Sequence, residues 1–194
     1  AMYGDQELRV GTVDSLRESV RRAILKNPKL APSFYQLALL DGLSFDAKTN
    51  AYGPDGSFMK IVLSSKDTDE YTRNLQEAAF ALVAAEKALK MKTAVTIADA
   101  VAIGGAEAIE SIGGPVLTVQ LGRADAGRSS AISTLPIDLF SGNRPSSEAA
   151  AAFKRAGLTE REKTALLPCT LTRETGQKKR TTEDWQEHVS PKLR

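Results

Sequence analysis

Apolar side chains that recur every three or four residues restrict this chain more than any other feature, because only a helix gathers such positions onto one face. In residues 12–26 they are Val13, Leu16, Val20, Ala23 and Ile24, and Pro28 closes the segment. Residues 31–41 predict a second helix, with Pro32 in its first turn, Phe34, Leu37, Ala38 and Leu40 as apolar positions, and Gly42 as the stop. Asp67 or Asp69 caps a third that runs to Lys90 and buries Tyr71, Leu75, Ala78, Leu82 and Leu89. Thr96, with Asp99 three residues on, opens a fourth that reaches Ser111 before Gly113-Gly114-Pro115. A fifth covers residues 147–156 and stops at Gly157; the capping box Thr159-Glu160-Arg161-Glu162 opens a sixth, which Pro168 breaks.

Between these segments, residues 46–57 concentrate turn formers, residues 58–63 read as one short extended piece, and residues 122–147 form a loop rich in Gly, Ser and Pro. The chain is therefore expected to be all-α. Its 194 residues suit one helical domain, residues 1–171, followed by a basic extended tail, residues 172–194. That tail carries six basic and four acidic side chains, with Trp185 its largest apolar group and at most one short helix near residues 182–188.

Charge and rare residues then remove whole classes of function. Basic and acidic side chains, 26 against 24, nearly cancel, so no strong field draws the chain to nucleic acid or an anionic membrane. No apolar stretch approaches the roughly 20 residues needed to span a bilayer, so any membrane association is peripheral. A lone cysteine, Cys169, excludes an internal disulfide. The one histidine, His188, lies in the polar tail, which argues against histidine-based catalysis. The first residues, Ala-Met-Tyr-Gly-Asp, have no leader pattern, and an alanine start is what either removal of a targeting segment or cloning leaves.

Three collinear segments resemble the plant, fungal and bacterial haem peroxidase superfamily, and most of all its ascorbate peroxidase branch. Leu37 to Asp46, followed by Tyr52-Gly53-Pro54-Asp55-Gly56-Ser57-Phe58, is similar to the family's distal helix and its Gly-Gly-Pro-Asn-Gly-Ser loop. Ala98-Asp99, Gly113-Gly114-Pro115 and Gly122-Arg123-Ala124-Asp125 resemble its Ala-Asp helix, Gly-Gly-Pro and Gly-Arg-x-Asp elements. Gly157-Leu158-Thr159-Glu160-Arg161-Glu162 matches the opening of the helix that leads to the iron ligand. The resemblance implies a haem-peroxidase-like helical domain, mainly the distal half, with a truncated proximal half.

At the positions where the family carries its distal arginine and histidine, this chain has Gln36 and Leu40. The histidine moves a proton between the peroxide oxygens and the arginine stabilises the departing charge; losing one such acid–base group costs about 10²–10⁴ in rate. Asn74 aligns with the asparagine that orients the missing histidine, and Thr170 stands at the proximal ligand position beside Cys169. The resemblance thus implies a pseudoenzyme without catalytic residues, cofactor or metal.

Within the branch, haem-less ascorbate peroxidase-related proteins of the plant thylakoid lumen are similar. They imply a chloroplast location in the thylakoid lumen and a role as an extrinsic structural subunit of a photosynthetic membrane complex, photosystem II. Lys178, Lys179, Arg180 and Trp185 are the candidate partner-binding residues, the tryptophan because large aromatics anchor interfaces. Two alternatives stay open: haem ligated unconventionally, through the Cys169 thiolate or a residue of a partner, and a small-molecule binding module using the vacated haem cleft. Elsewhere, Asp46, Asp55 and Ser57 carry oxygens of the kind hard cations prefer, a hydrogen-bonded turn being the plainer reading, and Arg123 and Asp125 are expected to pair.

Overall fold

The computed structural model describes residues 3–90, 93, 95–127, 135–142 and 146–167. Its helices are α1 (Tyr3–Lys26), α2 (Leu30–Leu43), α3 (Ser57–Ser64), α4 (Glu70–Lys90), α5 (Ile97–Ser111), α6 (Ser146–Arg155) and α7 (Glu160–Leu166). Among the described residues there is no strand, only an isolated antiparallel bridge between Asp46 and Ala51, so the protein is all-α as its periodicity requires.

Local chemistry sets most of the ends. Thr96 accepts the Asp99 backbone N–H at 3.1 Å, and Thr159 and Glu162 form the reciprocal capping box at the start of α7. Asp69 accepts the Thr72 N–H at 3.0 Å and its hydroxyl at 2.6 Å, fixing the first turn of α4.

Three segments differ from expectation. Residues 58–63 are not extended but lie in α3, because a short apolar run has no periodicity that separates helix from strand. The decisive contacts are tertiary: Asp41 accepts the Phe58 N–H, and the Gln76 amide donates to Val62 O at 3.1 Å. Helix α1 begins at Tyr3 rather than near Thr12, the helix formers Gln6, Glu7, Leu8 and Arg9 lying in its added turns despite Gly4 and Gly11. Helix α2 passes through Gly42 and ends at Leu43.

Helix α5 packs against α1, α2 and α4, and its composition permits that position. Ala98, Ala100, Gly104, Gly105, Ala106 and Ala108 are buried, so neighbouring helices approach closely. A methyl built on Gly105 would overlap the Ala38 Cβ of α2. Larger side chains around it complete the core: Leu16 and Val20 of α1, Phe34, Leu37 and Leu40 of α2, and Leu75 and Leu82 of α4 are all buried. Each contributes roughly 1.5–3 kcal/mol relative to exposure.

Candidate functional site

Residues four apart on a helix share a face, and on α2 Gln36 and Leu40 turn theirs inward. Gln36 is 6% exposed and Leu40 fully buried, with neighbouring Leu39 at 9%. Leu40 belongs to the main apolar cluster, which also takes in Leu135, Leu139, Phe140 and Phe153. Phe140 and Phe153 meet edge to face, their ring centroids 6.4 Å apart. Asn74 lies half-buried on α4.

A direct tie joins α2 to α7. The Tyr35 hydroxyl, adjacent to Gln36, donates to the Leu166 carbonyl at 2.9 Å, at the last residue of α7. A similar bond runs from the Tyr71 hydroxyl on α4 to Ile137 O at 3.1 Å.

Beside this face, three aspartates hold irregular backbone in place, each using both carboxylate oxygens. Asp41, in the last turn of α2, accepts from Gly56 N at 3.0 Å and Phe58 N at 3.3 Å. Asp99 accepts from Gly122 N at 2.9 Å and Arg123 N at 3.1 Å. Asp125 accepts from Ile97 N at 3.2 Å and Ala98 N at 2.9 Å, capping α5 from outside the helix. The expected Arg123–Asp125 pair is therefore replaced: Arg123 binds Asp99 at 3.2 Å, because Asp125 is committed to the α5 terminus. All three carboxylates position backbone.

The setting of Asp41 alters its acidity. Burial raises its pKa to about 6, nearby Asp55 and Asp125 add to that, and the two backbone donors oppose it.

The loop at residues 46–57 behaves as a turn. Asp46 accepts from Lys48 N at 2.9 Å and Thr49 N at 3.2 Å, which holds its carboxyl below the usual carboxylate range. Asp55 accepts from Ser57 N at 3.0 Å. Asp46 and Asp55 thus spend oxygens on local backbone, and no cluster of three acidic, histidine or cysteine side chains suited to a metal occurs among the described residues.

Sequence reasoning missed a buried ionic centre. Glu107 of α5 is 1% exposed and receives Arg17 at 3.0 Å and Arg21 at 3.0 Å from α1, while Arg17 also reaches Glu110 at 2.7 Å. The available signal was Glu107 flanked by alanines within an Ala-, Gly- and Ile-rich helix, a carboxylate that requires a partner once buried. Thr170, Cys169, Lys178, Lys179, Arg180, Trp185 and His188 lie outside the described residues.

Known proteins share this sequence pattern and helical arrangement. The family model described as peroxidase matches residues 16–193. Among solved structures, the crystal structure of the TL29 protein from Arabidopsis thaliana is similar, with a TM-score of 0.63 at 20% identity over 84% of this chain and 74% of that one. At that identity the likeness carries the fold. No curated protein matches the chain.

Proposed function

The chain belongs to the peroxidase family, and from that premise we propose that it is a non-catalytic member serving as a structural or interaction subunit of a photosynthetic membrane complex, photosystem II on its lumenal side. The observation that carries the reading is the interior placement of Gln36 and Leu40, at the positions that resemble the family's distal arginine and histidine. Glutamine has no proton to exchange near neutral pH and leucine has no polar atom, so neither serves as acid or base, and neither supplies the positive charge of an arginine.

The described residues of this face do not suit haem. Leu40 is packed within protein, and the one charged residue of α2, Asp41, is bound to backbone. The Tyr35–Leu166 bond draws together two helices that, by the resemblance, flank the haem in active relatives. The same burial of Gln36, Leu39 and Leu40 disfavours a small molecule there.

Titrating the purified full chain with hemin tests this directly. The expected spectrum is that of free hemin, with no peroxidase turnover; a saturable Soret band with one equivalent would sink the reading and favour thiolate ligation by Cys169.

Location and partner rest on the resemblance to ascorbate peroxidase-related proteins of the chloroplast thylakoid lumen. Association is taken to be peripheral, and no described helix is long and apolar enough to cross a membrane. In this reading residues 1–171 form the helical domain and residues 172–194 a partner-binding arm, with Trp185 as anchor and Lys178, Lys179 and Arg180 meeting acidic surface. Native membranes solubilised in mild detergent should show the protein migrating with the photosystem. Migration only as a free monomer would remove the partner assignment. Deleting residues 172–194 should weaken co-migration while the melting temperature changes little.

A further inference from the structure

We propose that the turn at residues 53–58 is a proton-controlled latch, closed on α2 while the Asp41 carboxyl carries its proton and released as that carboxyl ionises. Asp41 joins the end of α2 to both sides of the turn that leads into α3. Its carboxylate takes Gly56 N and Phe58 N, its carbonyl takes the Ser44 hydroxyl at 2.6 Å, and that hydroxyl takes Gly53 N at 3.1 Å. The turn is wedged against α5 as well: a Cβ on Gly56 would stand 2.5 Å from Ile97 Cγ2 and 3.1 Å from Ala98 N.

Asp41 is 1% exposed and makes no ion pair among the described residues. The charged groups on surrounding elements do not offset it. Asp55 comes from the turn itself and Asp125 from the segment beneath it, both of like charge. Lys60 of α3 is exposed, with its ammonium 3.4 Å from Ala126 O. Asp99 of α5 is held by Arg123, and Arg155 of α6 donates to Leu43 O at 3.2 Å. An ionised Asp41 is thus a buried anion supported by two backbone donors alone, and opening the turn hydrates it.

The sign follows from linkage. With the turn closed Asp41 titrates near pH 6, against an ordinary value of 3.8 when open to water. The closed form therefore binds the proton more tightly, its advantage is complete below the open value, and it is lost as pH rises through the closed value. Between pH 7 and pH 5 the closed turn should gain about tenfold in equilibrium over the open one.

Amide exchange by NMR on the full chain, corrected for intrinsic rates, reads this at Gly56 and Phe58. Protection of both amides should rise about tenfold from pH 7 to pH 5, flatten in Asp41→Asn, and persist with a lower midpoint in Asp55→Asn, which removes a like charge. Protection independent of pH in the unaltered chain, or an unchanged dependence in Asp41→Asn, overturns the latch. Should Asp41→Asn fail to fold, the carbon-13 carboxyl titration of Asp41 in the unaltered chain decides: a midpoint near 4 overturns the proposal and one near 6 supports it.

Discussion

Glu107 concentrates more electrostatic consequence than any other described side chain, since its two oxygens are shared between Arg17 and Arg21 while the carboxylate itself is 1% exposed. Removing it by Glu107→Ala strands Arg17, whose side chain is only 12% exposed. Glu110 keeps part of that charge satisfied, so urea denaturation should register a loss of about 3 kcal/mol, at the lower end for breaking a buried pair. Glu18→Gln, which breaks surface pairs with Arg21 and Arg22, should cost under about 1 kcal/mol by the same measurement. Asp69 illustrates the opposite sense of pH coupling to Asp41. Hydrogen bonds from Thr72 hold its carboxyl below the usual carboxylate range, so its contribution is present above the unfolded value and is lost as pH falls through the lower folded one. Acid denaturation should accordingly steepen below about pH 4, and Asp69→Asn should shallow that limb.

Glycine in a helix has two unlike meanings in this fold, and substitution separates them. Gly105 lies where α5 touches Ala38 of α2, so Gly105→Ala gains helix propensity yet forces the helices apart, for a net loss of about 1–2 kcal/mol. A methyl placed on Gly42 would meet nothing within 4 Å, so Gly42→Ala should stabilise by about 0.5 kcal/mol. Thermal melts of the two variants should therefore shift in opposite directions. The same distinction between local and distant causes explains what was legible from the order of residues alone. Helices α4, α5 and α7 carry caps within or beside their own residues, α4 and α5 carry their buried stripes as well, and Leu40 was recognisable as buried from helical spacing. Helix α3 was not, because its first turn is organised by Asp41 from across the loop. The Asp99–Arg123 pair escaped for the same reason: Asp125 was the nearer carboxylate in sequence, but it is taken by the α5 terminus, 28 and 27 positions away. Of the candidate site, the residue types were readable, whereas the aspartate-held backbone and the tie between α2 and α7 depend on the folded path.

At the scale of the molecule, family membership and all-helical architecture agree, and the face of α2 that carries Gln36 and Leu40 is packed inside the protein. The apolar residues divide into a main cluster spanning α1 to α6 and a smaller one built on Leu16, Ala85, Val95, Ala100 and Ile103. Together they bind these six helices into one core, against which Leu166 of α7 also packs, and the Tyr35 hydroxyl ties α7 to α2. That bond joins positions 131 residues apart, and closing so long a loop is entropically unfavourable until the intervening helices have docked. It should form after the folding barrier has been crossed. Tyr35→Phe, which deletes the hydrogen bond to Leu166 O, worth about 1 kcal/mol, should then leave the stopped-flow refolding rate unchanged and speed unfolding about fivefold. The hydroxyl acts as a brake on the way out of the native state.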